Sequence, residues 1–456
     1  MWSTVTSKMW GIYTRRQWAT ILVVASAHFS IAIASSLQAP FYPFEAEKKG
    51  ATATEYGLVF GVFYLIVFSI SPLFGQYLNV IGAKFVFTTG SFVVALCTLL
   101  FGLLDLVNGH ASFIGLSFAI RIIEAIGNAG YLTASYSYLA AEFPSTVATV
   151  FASLETFYGV GLIAGPALGA IFYHIGGFSL PFAVFGVIVG VEAIFSYFFL
   201  PSYEPTDVDT QNPFLVLQVL KVPGILLAAC TIVVSAISTG FIATTLEPHL
   251  RQFNLSHAQI GSVFMIEGGT YAVFAPIWGR VCDRLDTPEI VTMAGSSFML
   301  VGFIFLGPLP IIPIPTLLWL SCLSLVSIGI GSGALLVAGF LSGLKIALRE
   351  GYPSNLVTFG VISGLWSSAF ALGCFLGPSI AGYLYDHVGF RKVTWFCAGC
   401  HTVTIVTTLI YIVMYRLKCP TEPPDLFSEQ SASTELTEST KLLGQTDSKL
   451  QQNRSV

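Results

Sequence analysis

An all-α membrane protein of twelve transmembrane helices, arranged as two pseudo-symmetric six-helix halves, is the fold predicted by three features of this chain. Of its 456 residues, 54% are hydrophobic and 10% charged, with a mean hydropathy of +0.78. Twelve segments stay apolar over about twenty residues, the length an α-helix needs to cross a bilayer. The run Gly165-Pro166-Ala167-Leu168-Gly169, with Tyr173 and Gly177-Phe178 after it, returns as Gly377-Pro378-Ser379-Ile380-Ala381 with Tyr385 and Gly389-Phe390 in matching places. Such a return is the mark of an internal duplication.

The elements follow in order. After a polar start, 1–17, the first span covers 18–40; it follows Arg15 and Arg16 and is too long for a cleaved signal. Spans two and three, 55–77 and 84–104, are apolar between their ends. The fourth, 112–138, carries Arg121 and Glu124, and the fifth, 147–173, carries Glu155 and the first Gly-Pro step. There proline removes a backbone donor and bends the helix, while Gly161 and Gly165 beside Pro166 let a neighbour approach closely. The sixth, 180–200, contains Glu192. Pro, Glu and Asp then cluster in 201–221, a linker between the halves 18–200 and 222–415. The seventh span, 222–247, ends on Glu247, and the eighth, 259–280, holds Glu267-Gly268-Gly269 and Tyr271. The ninth and tenth are 290–309 and 316–345. The eleventh, 355–384, has Trp366 and the second step, Gly377-Pro378, and the twelfth is 392–415. Residues 416–456 are polar, rich in Ser, Thr, Gln and Glu, and predicted to be a disordered tail.

Basic residues near the span ends orient the chain. Lys8, Arg15, Arg16, Lys84, Lys221, Arg280, Arg284, Lys345, Arg349, Arg416 and Lys418 fall on one side, against Lys48, Lys49, Arg251, Arg391 and Lys392 on the other. The richer side is expected to be cytosolic, with both termini on it. The net charge of −4 says little about ligand, because the tail supplies much of it. The eight cysteines form no disulfide framework, and the Cys397-x-x-Cys400 pair lacks the partners a metal needs. P-loop, zinc-ligand and nucleophile-elbow patterns are missing, so neither an enzyme, a cofactor nor a nucleic-acid partner is expected.

An ionisable group inside a bilayer is costly unless paired, neutralised or facing water, which makes each one a functional candidate. Glu124, Glu155, Glu192, Glu247 and Glu267 stand against a single deep cation, Arg121. That excess of acid suits a cationic substrate, and buried carboxyls tend to take up protons. Arg121 and Glu124, three residues apart, share a helix face and can neutralise one another. Glu155 lies near the bent seam with Gly159 and Pro166. Glu267 sits a turn before Tyr271, and Glu192 belongs to a span expected at the periphery. Tyr131, Tyr136, Tyr158, Tyr271 and Trp366 offer ring faces to an ammonium group. His28, His174 and His257 read as scattered singletons.

Several runs carry a resemblance. Gly159-x-Gly161-x-x-x-Gly165-Pro166-x-x-Gly169 resembles the antiporter signature of the major facilitator superfamily. Gly279-Arg280-Val281-Cys282-Asp283-Arg284 is similar to that superfamily's loop motif, in which Asp and Arg hold neighbouring helices at a gate. Its counterpart after the second span has Asn79 and Val80 in place of the pair. Pro40-Phe41-Tyr42-Pro43 and Leu246-Glu247-Pro248-His249-Leu250 resemble the vesicular amine transporters. Ile81-Gly-Ala-Lys-Phe85 and Ser153-Leu-Glu-Thr-Phe157 resemble their polyamine branch. Ile31, Ala338 and Ser367 stand where the monoamine and acetylcholine members carry acids, so that proton-coupling layout does not transfer.

What the resemblance implies is a proton-coupled antiporter that loads cationic amines, spermidine and spermine foremost, from cytosol into acidic secretory or lysosome-related vesicles by alternating access. It assigns Glu247 through its motif and Glu155 within the polyamine branch. Another solute (a monoamine, a drug-like cation, or an organic anion drawn by Arg121) is the nearest alternative, and a non-transporting receptor or scaffold is a different class. In the tail, Glu438 followed by Leu442-Leu443 fits the acidic dileucine pattern read by clathrin adaptors.

Overall fold

A computed structural model describes residues 13–203, 215–255, 257–308 and 314–418. The proposed sorting residues Glu438, Leu442 and Leu443 lie outside them. Among the described residues twelve helices are long and apolar enough to cross a membrane. They are α1 (Arg15–Ser36), α2 (Ala53–Ile81), α3 (Ala83–Gly102), α4 (His110–Glu142), α5 (Val147–Gly176), α6 (Ser179–Phe199), α7 (Pro223–Leu250), α8 (His257–Arg284), α9 (Glu289–Leu306), α10 (Leu318–Arg349), α11 (Leu356–Val388) and α12 (Phe390–Lys418). Among the described residues no strand occurs. Residues up to Tyr411 form one compact unit; from Ile412 a second begins, whose described part is the end of α12.

Local chemistry sets several helix starts. Thr14 with Gln17 and Thr52 with Glu55 form capping boxes ahead of α1 and α2, Asn355 caps α11, and Pro223 occupies the first turn of α7. Most helices outrun the apolar windows that predicted them. α4 reaches Glu142 and α10 reaches Arg349, because polar residues at the membrane surface complete the last turns without adding to hydropathy. The first span departs most from expectation. α1 stops at Ser36, and after Leu37 the chain resumes as a helix over Gln38–Lys48.

The duplication is visible in the packing. α5 lies on α1 through glycines: a Cβ on Gly161 would meet the Phe29 carbonyl at 2.5 Å, and one on Gly165 would meet Ile33 O at 3.0 Å. α11 lies on α7 the same way, a Cβ on Gly373 meeting the Val233 carbonyl at 2.6 Å and one on Gly377 meeting Ile237 O at 2.9 Å. Gly373 and Gly377 repeat Gly161 and Gly165, and Val233 and Ile237 repeat Phe29 and Ile33 at one constant offset per helix. Pro166 and Pro378 sit inside α5 and α11 directly after the second glycine, and both helices run on past them.

Across the two halves α2 packs on α11 and α5 on α8. These contacts tighten towards the face where α1 starts. A Cβ on Gly75 would meet the Gly360 carbonyl at 2.4 Å, and one on Gly279 the Ala148 carbonyl at 2.6 Å. Midway the approach is by side chains only, with Gly61 facing Phe375 at 3.6 Å and Gly159 facing Tyr271 at 3.7 Å. Near the opposite face Gly57 and Gly261 have nothing within 4 Å. The halves are therefore pinched together at the N-terminal face and looser at the other.

Candidate functional site

Between the halves lies a cavity of about 240 Å³. α5 contributes Glu155, Tyr158, Gly159, Leu162 and Ile163, which share one helix face by their spacing of three and four. α8 contributes Glu267, Gly268 and Tyr271, and α4, α7, α10 and α11 supply Tyr136, Thr239, Ser332 and Trp366. Glu155 is buried and accepts hydrogen bonds from the Tyr136 hydroxyl at 2.6 Å and the Tyr271 hydroxyl at 3.1 Å. One carboxylate thus gathers a tyrosine from each half. Glu267 is half-buried on the same cavity, with no hydrogen bond or ion pair among the described residues. Neither carboxylate is paired with a lysine or arginine there, so its charge is answered by no fixed cation.

Towards the pinched face the cavity ends on aromatic rings. Phe151 and Phe340 stack with centroids 4.6 Å apart, and Trp366 meets Tyr136 edge-on at 4.9 Å while stacking on Phe370. The Trp366 indole N–H donates to the Leu336 carbonyl, which fixes the ring. These rings come from α4, α5, α10 and α11, so they meet only while the halves are closed on this side.

The other sequence candidates lie elsewhere. Glu124 is fully buried, 2.8 Å from Arg121 on its own helix, and accepts from the Gln38 amide. Arg121 also lies over the Phe63 ring at 4.2 Å, and neither residue lines the cavity. Glu247 stands at the far end of α7 in a half-exposed pair with Arg251 at 2.7 Å, apart from Glu155 and Glu267. Glu192, on α6, accepts from the Ser30 hydroxyl at 2.8 Å and lines a groove between α1 and α6 beside Leu22 and Val191, apart from the central cavity. Tyr158, Tyr271 and Trp366 do line the cavity, whereas Tyr131 turns away to contact His28.

His28, a scattered singleton in the sequence, is fully buried on α1 within a ring of tyrosines. Centroid distances are 5.2 Å to Tyr131, 5.8 Å to Tyr136 and 6.3 Å to Tyr158. Phe151 and Phe340 were missed as well, since a lone phenylalanine in an apolar span carries no local signal. Among the described residues no three or more metal-ligating side chains gather, and Cys397 and Cys400 are free thiols.

The Gly279–Arg284 motif, expected in a loop, forms the last turns of α8 and makes a defined bond. Asp283 accepts from the backbone N–H groups of Ala148 at 2.9 Å and Thr149 at 2.8 Å, and from the Thr149 hydroxyl. A carboxylate from α8 thereby caps the N-terminus of α5, where unsatisfied N–H groups and the helix dipole both favour it. Asp283→Asn is expected to loosen this clasp and slow uptake about threefold to tenfold, while substrate affinity of the purified protein stays near wild type. Equal losses of uptake and affinity would place Asp283 at the substrate instead.

The sequence profile of the Major Facilitator Superfamily matches residues 24–347 and 228–445. The MFS-type transporter SLC18B1 of Homo sapiens is 35% identical over 434 residues, covering 93% of each chain. The Synaptic vesicular amine transporter of Bos taurus is 22% identical, over 74% of this chain and 62% of its own. Among solved structures, the human organic anion transporter MFSD10 (TETRAN) aligns with a TM-score of 0.70 at 16% identity, over 87% of this chain and all of that one. FucP in its outward conformation aligns with a TM-score of 0.65 at 15% identity, over 86% and 98%.

Proposed function

The chain belongs to the Major Facilitator Superfamily, a family of transporters and not of enzymes, and from that premise we propose that it is a proton-coupled antiporter of cationic amines. The observation that carries this reading is a cavity between the halves with two carboxylates, Glu155 and Glu267, and no fixed cation paired to either among the described residues. A buried carboxylate without a countercharge is costly, so each holds either a proton or a bound cation. Mutual exclusion of the two at one oxygen pair is the chemistry of exchange.

Polyamines are the leading substrates. Two carboxylates on different helices, α5 and α8, match a cation whose charges are separated along a chain. The tyrosine and tryptophan faces suit ammonium groups. At about 240 Å³ the cavity falls just below the usual range for drug-sized ligands, ~300–1,000 Å³, which favours a slim linear molecule. Arg121 is bonded to Glu124 outside this cavity, so nothing within it favours an organic anion. The amine enters from the cytosolic side, on which both termini lie. Protons from an acidic lumen displace it from Glu155 and Glu267, and the halves 18–200 and 222–415 rock about the site. Glu247, exposed at the end of α7, acts at the lumenal approach.

The test is uptake of labelled spermidine into vesicles containing the purified protein, with an imposed inside-acid gradient. Accumulation that collapses with the gradient is expected; absence of any solute uptake would leave a scaffold, and a different substrate profile another antiporter. The vesicular address is proposed to rest on Glu438, Leu442 and Leu443 as a clathrin-adaptor signal. Leu442→Ala with Leu443→Ala is expected to shift most of the protein to the plasma membrane without loss of transport in isolated membranes, and unchanged localisation would remove the signal.

A further inference from the structure

Beside the pinched face a second cavity, of about 660 Å³, opens on the side of the bundle. Its walls come from both halves: the start of α1 with Tyr13, Trp18 and Leu22, the start of α5 with Thr149 and Phe157, and the end of α8 with Arg280 and Arg284. Arg280 and Arg284 are one helical turn apart, both exposed, and make no hydrogen bond or ion pair among the described residues. The nearby carboxylate does not answer them, because Asp283 is occupied by the Ala148 and Thr149 donors.

The rest of the groove is amphipathic in a directed way. Leu22 is 65% exposed and Phe157 is 48% exposed, on stretches of α1 and α5 that face hydrocarbon in a membrane-embedded chain. Tyr13 and Trp18, packed edge-on with centroids 5.7 Å apart, are interfacial aromatics at the helix entry. Hydroxyl groups of Ser145, Thr146 and Thr149 line the same end as the arginines. The surface is therefore cationic and hydroxylated at the head-group level and apolar below it.

We propose that this groove binds an anionic phospholipid, its phosphate held by Arg280 and Arg284 and its acyl chains lying along Leu22 and Phe157. Charge complementarity selects an anion, and continuity with the lipid-facing surface selects one carried on acyl chains. Guanidinium groups suit phosphate oxygens because they donate in a planar fork. The bound lipid touches α8 of one half and α1 and α5 of the other. It thus holds the halves together beside the Asp283 clasp, favouring the conformation closed at this face. The proposal depends on membrane embedding and not on the identity of the transported solute.

The experiment places the full-length protein in nanodiscs of phosphatidylcholine, with or without phosphatidylinositol, and measures lipid retained in native mass spectra together with thermal stability. Wild type is expected to retain phosphatidylinositol over phosphatidylcholine and to melt higher in its presence. The Arg280→Gln, Arg284→Gln double variant is expected to lose this preference about tenfold or more. Lys392→Gln, a cation substituted at the start of α12, should keep it. Equal retention by wild type and the double variant would overturn the proposal. So would the same stabilisation by inorganic phosphate in nanodiscs lacking anionic lipid, which would assign the arginines to a soluble anion.

Discussion

Glu155→Gln is expected to abolish proton-driven amine uptake while leaving the protein folded. The amide keeps the shape of the side chain and one acceptor for the Tyr136 or Tyr271 hydroxyl, so the bonds that tie α4 and α8 to α5 survive in part. What it removes is the group able to exchange a proton for a cation. A hydrogen bond involving a charged partner contributes ~1.5–3 kcal/mol, so amine affinity alone should weaken roughly tenfold to a hundredfold, and coupling should vanish with it. Uptake is measured in reconstituted vesicles and folding by the elution profile and melting temperature. Gradient-driven uptake at the wild-type rate by well-folded Glu155→Gln would take this residue out of the mechanism.

Gly75→Val is expected to be as damaging by a different route. Its Cβ would stand 2.4 Å from the Gly360 carbonyl and 3.3 Å from the Gly364 Cα, all backbone atoms that cannot swing aside. α2 and α11 must then separate where the halves are pinched. Overpacking of this kind costs ~1–3 kcal/mol, enough to move a two-state equilibrium by one to two orders of magnitude. Uptake should fall by about tenfold or more, and amides in 356–364 should exchange with deuterium faster than in wild type. Wild-type transport with unchanged exchange would mean that this contact does not hold the closed face.

Hydropathy carried the twelve spans, and the return of Gly165-Pro166 as Gly377-Pro378 carried the duplication. The structure places both steps where α5 meets α1 and α11 meets α7. Glu155 and Glu267 were legible as candidates because a carboxylate in an apolar span stands out. Their meeting in one cavity was not legible, since it depends on how α5 and α8 cross. Glu124 and Glu247 looked equivalent to them by the same rule. Each is paired with an arginine: Glu124 with Arg121, as their spacing of three residues predicts, and Glu247 with Arg251, four residues on and just past the end of α7. His28 shows the converse: its tyrosine partners come from α4 and α5, far along the chain, and an isolated histidine in α1 gave no hint of them. The Phe151–Phe340 stack joins different halves and was equally hidden.

The central claim, that amine and proton compete for the carboxylates of one cavity, is tested most directly by proton release on binding. Spermidine is titrated into the purified, unbuffered protein at mildly acidic pH while a soluble dye reports free protons. Release of protons that saturates with spermidine binding, and is lost in Glu155→Gln, is the predicted result. Saturable binding with no proton released at any pH would contradict the account.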